Sequence, residues 1–208
     1  MGILNAFKVR MNTLAIVLIP VCIAIDWAGH ALAQALHLFF LDSVGTVLGG
    51  LLAGPWVGGL AGLLTNILSS GSTDPIAWSY CGVAFAIGVV AGIGGYYGWH
   101  KTWPGRIALY VLIVLAASIL STPINIGLYG GGSGVGYADA MYAGLVKAGW
   151  PTWLAAYLDE ASGDIPDKFI TVVVATLIYF GLPNRYRALF SMWRRTGDEK
   201  VPAPAASV

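Results

Sequence analysis

Four side chains able to accept, donate or carry a proton recur along one otherwise apolar stretch: Asp26, His30, Gln34 and His37. At about 100° per residue they fall within an arc of about 80°, one face of a helix. Ala24, Ala28, Ala31 and Ala35 occupy about 60° on roughly the opposite side. Ionisable groups inside an apolar span are costly and face a cavity or a partner group. Two readings follow. The polar face is a ligand-binding wall with the alanine face packed on another helix or subunit, or Asp26 and His30 are an internal pair beside ordinary small-residue packing.

A second polar face comprises Ser118, Thr122, Asn125 and Tyr129, again within about 60°. Ser and Thr bond backward to helix carbonyls, so Asn125 is the informative member: an amide donates and accepts at once and suits a heterocycle. Asn66 is a candidate of the same kind. The run Asp164-Ile165-Pro166-Asp167-Lys168 reads as a helix start, with Asp164 capping, Pro166 in the first turn and Asp167 complementing the dipole. Its alternative is Asp167 or Lys168 closing over a ligand. Trp78, Tyr80, Trp150 and Trp153 fit an interfacial aromatic belt.

Catalytic and metal constellations are missing. There is no HExxH or GxSxG motif, and no nucleophile stands beside Asp26 and His30, so no enzymatic activity and no cofactor are expected. Cys22 and Cys81 lie in apolar runs without metal-ligand spacing and read as buried free thiols. Gly130-Gly131-Gly132-Ser133-Gly134-Val135-Gly136 lacks the Lys-Ser or Lys-Thr of a phosphate loop and reads as a flexible connection.

These residues need a lipid-embedded scaffold. Of 208 residues only 10% are charged and 57% are hydrophobic, against about 25% charged in soluble domains. The net charge of +1 gives no reason to expect a nucleic-acid partner. Crossing a bilayer takes about 20 mostly apolar residues, which predicts spans at about 13–35, 38–54, 55–70, 76–98, 106–127 and 165–183, with a long loop at 128–163. Gly54-Pro55 divides the second from the third, because proline lacks a donor and restricts the residue before it. Leu182-Pro183-Asn184 closes the last. The apolar run from Thr13 is too long, and lacks the small-residue site, of a cleaved signal peptide.

Charge supports six spans over five. Lys8, Arg10, Lys101, Arg106, Arg185, Arg187, Arg194, Arg195 and Lys200 then share one side, and only Lys147 and Lys168 the other, as the positive-inside rule requires of cytoplasmic termini. The fold class is an all-α membrane protein, a six-transmembrane-helix bundle: a cytoplasmic segment 1–12, a membrane domain 13–185 and a basic, Pro/Ala-rich tail 186–208. Gly50/Gly54, Gly58/Gly62 and Gly88/Gly92 have the spacing that lets helices approach closely in lipid, read chiefly as ordinary bundle contacts.

The run Phe40-Leu41-Asp42-Ser43-Val44-Gly45-Thr46, then Leu51-Leu52-Ala53-Gly54-Pro55-Trp56-Val57-Gly58 and Gly62-Leu63-Leu64-Thr65-Asn66, resembles the energy-coupling factor (ECF) transporter S components. Thr122-Pro123-Ile124-Asn125 and Asp164-Ile165-Pro166-Asp167-Lys168 look like an uncharacterised branch of that family. The resemblance covers most of residues 10–185. It implies a six-helix fold in a bacterial or archaeal plasma membrane and a substrate pocket near the outer face. It also implies docking through small residues of the first helix on a transmembrane coupling subunit served by two ATPases. Ala24/Ala28 and Ala31/Ala35 both fit the family's Ala-x-x-x-Ala pattern, with the more cytoplasmic pair preferred. Asp26, so close to that pair, departs from the pattern, and the alternative it raises is that this helix forms part of the pocket. On this resemblance the expected function is the substrate-binding subunit of an ABC-type uptake transporter for a vitamin or related small heterocycle. Asn125, Asp26, His30, Gln34, Asn66, Thr122, Tyr129, Asp167 and Lys168 are its candidate substrate residues. The missing His-rich N-terminus speaks against nickel or cobalt. A membrane-embedded sensor module is the alternative, disfavoured by a chain that ends about 25 residues after its last span.

Overall fold

The computed structural model describes residues 3–9, 11–36, 41–72 and 74–190, with the side chains of α1 described as far as Ala33. Every regular element among them is helical. Helix α1, Thr13–Leu36, starts where Asn12 Oδ1 accepts from the Ala15 N–H at 2.8 Å. The Gly54-Pro55 break falls where the sequence predicts it: α2 is Val44–Ala53 and α3 is Pro55–Ser70. Gly54 has φ 100°, a region that disfavours a β-carbon, and Pro55 opens α3 where no backbone donor is needed. A 3-10 turn Ala77–Tyr80 leads into α4, Cys81–Tyr96. Thr102 caps α5, Trp103–Tyr129, accepting from the Gly105 N–H. Then follow α6, Gly136–Lys147, α7, Thr152–Gly181, and the short α8, Asn184–Arg187.

Helix α2 is the centre. All of its residues are buried, among α1, α3, α4 and α7. The spaced glycines explain how the surrounding helices come so near. A β-carbon on Gly88 would overlap the backbone of Gly58, and one on Gly92 would overlap Pro55. The apolar core runs through Val47, Leu51, Ile87, Ile113, Val172 and Tyr179.

The outside is apolar as well, as for a protein whose solvent is lipid. Three described helical stretches have the length and composition to cross a membrane: Thr13–Ala33, Ala77–Tyr96 and Trp103–Tyr129. Helix α7 carries Asp164, Asp167 and Lys168, but turns them inward, where all three are buried, and exposes Phe169, Val173, Leu177 and Phe180. Contacts gather the basic segments at one end of the bundle. Asn12 Nδ2 donates to the Leu189 carbonyl, Trp56 Nε1 donates to the Phe7 carbonyl, and Arg106 and Arg187 both lie over Phe180.

Two boundaries depart from expectation. The predicted loop 128–163 holds α6 and the first turns of α7. Asp164 and Pro166 are therefore helix interior, not cap and first turn. Proline there strips the Ser162 carbonyl of its helical donor, and the Tyr137 hydroxyl supplies a replacement at 3.1 Å. The second predicted span, 38–54, yields regular helix only from Val44, with 38–40 outside the described residues.

Candidate functional site

At the end of the bundle away from the basic segments, Asn125 joins three elements. It is fully buried. Its Oδ1 accepts from the Tyr80 hydroxyl at 2.6 Å, and its Nδ2 donates to Glu160 Oε2 at 2.7 Å. Tyr80 comes from the turn before α4, Asn125 from α5 and Glu160 from α7. Tyr129 stacks on Tyr80, ring centroids 6.1 Å apart, and shares a 2.9 Å hydrogen bond with Ser79.

Below this lies a buried charge cluster. Lys168 Nζ donates to Asp167 Oδ2 at 2.6 Å, with Ser43 Oγ at 3.4 Å and Asp42 and Asp164 each at 3.8 Å. Ser118 Oγ donates to Asp164 Oδ2 at 2.8 Å, and Asp167 Oδ1 accepts from the Leu41 N–H at 2.8 Å. The connection from α1 to α2 is thereby fastened to α7. Leu41 is a non-glycine residue at positive φ, 45°.

Between the two groups is a cavity of about 130 Å3, room for about four waters at roughly 30 Å3 each. Val83, Ala84, Ile87 and Ala117 form an apolar side, and Asp42, Asp74, Glu160, Asp164 and Lys168 bring charge, with Ser43, Ser121, Ser133, Asn66 and Tyr80 between. A smaller recess of about 20 Å3 adjoins it, edged by Asp26, His30 and Thr65 and sharing Asp42, Asn66 and Asp74. Glu160 precedes the predicted span 165–183. Burial and the neighbouring Asp164 charge push its carboxyl up to about 7, against the pull of Asn125, Ser121 and Lys168.

Of the residues read from sequence, Asn66 and Lys168 line the main cavity, and Asp26 and His30 edge the recess. Asp26 is already engaged. It accepts from the N–H groups of Gly45 at 2.6 Å and Thr46 at 3.2 Å and from the Thr46 and Thr65 hydroxyls at 2.7 and 3.2 Å. Asp26 thus ties α1 to the start of α2 and to Thr65. Asn125 stands behind the wall, holding Tyr80 and Glu160, which form it. Thr122 bonds back to the Ser118 carbonyl at 2.6 Å, Tyr129 supports Tyr80, and Asp167 grips Leu41 and Lys168. The side chains of Gln34 and Ala35 lie outside the described residues, as does His37. Ala24, Ala28 and Ala31 are exposed on α1.

Glu160 and Asp74 were not singled out from sequence. Both sat in segments read as connections, and no periodic neighbour marked them. Tyr80, read as belt, lines the cavity, whereas Trp78, Trp150 and Trp153 are exposed. Both cysteines are free, Cys22 buried and Cys81 partly so. No group of three or more His, Cys, Asp or Glu side chains able to hold a metal occurs among the described residues. No family model, curated protein or solved structure matches the chain.

Proposed function

We propose that this chain is the substrate-binding membrane subunit of an uptake transporter of the ECF type, taking a small heterocyclic micronutrient into the cavity beneath Tyr80. The observation carrying this reading is a cavity with one charged and one apolar side, set into one end of an otherwise apolar-surfaced helical bundle, the arrangement a ligand site in a membrane protein requires. Six crossings by α1–α5 and α7, with both termini cytoplasmic, fit the gathering of basic segments at the opposite end. The exposed alanines of α1 suit a partner helix, since small residues let backbones approach in lipid. In this reading they dock on a coupling subunit driven by two ATPases.

Mass spectrometry of small molecules carried through purification in mild detergent tests the reading. A stoichiometric heterocycle released on denaturation is the expected result. A chain that carries none, and whose melting temperature no vitamin or nucleobase raises, would abandon it.

A further inference from the structure

Resting on that cavity being the ligand site, we infer that its occupant is a small organic cation rich in N–H donors: an amine, an amidine or an aminated ring. Charge is the first ground. Among the described residues, four carboxylates, Asp42, Asp74, Glu160 and Asp164, line the space with one ammonium, Lys168. That ammonium is already committed, to Asp167 at 2.6 Å with Asp42 and Asp164 each at 3.8 Å. An anionic ligand would meet like charge with no uncommitted cation in the described lining to receive it, and like charges at close range cost several kcal/mol.

Donor and acceptor bookkeeping gives a second, independent ground. The Tyr80 hydroxyl gives its hydrogen to Asn125, and the Asn125 amide donates to Glu160. The Ser43 hydroxyl donates to Asp42 at 2.7 Å and that of Ser133 to Asp159 at 3.3 Å. These four donors thus point at the protein's own acceptors. A carboxylate has about four lone-pair sites, so Glu160 and Asp74 keep acceptor capacity to spare. The complement to such a wall is a ligand that donates. The apolar side formed by Val83, Ala84 and Ile87 suits the face of one ring, and the volume holds little more than one ring with its substituents. A bare metal ion is a poorer fit, because the carboxylates do not converge in a metal-holding group among the described residues.

Three probes of one shape and different charge decide the matter: benzamidine, benzamide and benzoate, titrated calorimetrically at up to millimolar concentration into the full chain in nanodiscs. Benzamidine should bind at least tenfold more tightly than benzamide, and benzoate not at all. Glu160→Gln should weaken benzamidine about tenfold, the loss of one charge partner. Asp74→Asn, on the connection before α4, repeats the test should the first variant fail to fold. Benzoate or benzamide binding as tightly as benzamidine overturns the charge assignment and leaves the ligand site standing. Benzamidine binding that neither variant alters is adventitious and overturns it too. Binding by none of the three overturns both the assignment and the site.

Discussion

Asn125 has its Oδ1 on one cavity residue and its Nδ2 on another, so its removal disturbs a wall it does not itself form. Asn125→Ala leaves the Tyr80 hydroxyl and Glu160 without their partner, and an unmet buried group costs about 1–3 kcal/mol. Affinity for the natural ligand should fall roughly ten- to a hundredfold, at about 1.4 kcal/mol per tenfold. Asn125→Asp should do at least as much harm, since it sets a carboxylate against Glu160. Wild-type affinity in both variants, with an unchanged melting temperature, removes Asn125 from the site. Glu160 supplies a pH test. Its carboxyl lies at about 7, against an ordinary 4.5, so the folded chain holds a proton that the unfolded chain releases. The contribution of this group to stability therefore falls as pH rises from about 4.5 through 7, and Glu160→Gln should lessen the slope of that part of the thermal-stability profile. Asp164 and Lys168 on α7, Ser121 and Asn125 on α5 and Tyr80 before α4 face this carboxyl and stay in place in the variant. An unchanged slope would assign the titration elsewhere. At this scale the sequence makes Asn125 visible because an amide on a polar helical stripe is conspicuous. Glu160 is hidden, since a carboxylate within Asp159-Glu160-Ala161-Ser162-Gly163 looks like any wet connection.

Ser43, at the N-cap of helix α2, makes no capping bond to its first N–H groups. Asp26 of α1 does the work from a distance, accepting from Gly45 and Thr46. Asp26→Ala strands those donors and the Thr46 hydroxyl inside the bundle, with a stability loss of roughly 3 kcal/mol or more. Thermal unfolding in detergent should show a clear fall in melting temperature, and Asp26→Asn a smaller one. A variant melting like wild type would mean that α2 starts without this contact. The helix breaks at Gly54-Pro55 and Leu182-Pro183 were legible because proline acts through its own backbone. Helix α6 and the start of α7 were not. Both are too polar to read as spans, and Pro166 looked like a helix start because sequence does not reveal that Tyr137 would service the orphaned Ser162 carbonyl.

For the molecule as a whole, the proposed topology puts Lys8 and Lys147 on opposite sides of the membrane. Both are exposed, and single cysteines replacing them, with Cys22 and Cys81 changed to alanine, can be probed with an impermeant thiol reagent. Position 147 should label in intact cells and position 8 only after permeabilisation. Labelling of position 8 from outside would reject the orientation. Ala28→Trp tests the exposed face of α1: uptake should fail while ligand binding by the isolated subunit is retained. Lost binding would place that face in the fold. The apolar composition and the side-by-side basic segments made the membrane character legible. The cavity was not, because it is assembled from residues as distant in sequence as Asp42 and Lys168.

That fastening of the α1–α2 connection to α7 has a thermodynamic corollary. Leu41, Asp42 and Ser43 lead into α2, whose first N–H groups are held by Asp26 of α1; they contact Asp167 and Lys168 and include two residues that line the cavity. A rigid-body shift of α1 on a coupling partner would therefore be felt by the occupant of the cavity. Coupling of this kind is reciprocal: whatever factor the partner imposes on ligand affinity, the ligand imposes on partner affinity. A coupling subunit that loosens the 41–43 connection would expel the ligand and, by the same factor, favour the empty chain, so release and retention of the partner become one equilibrium.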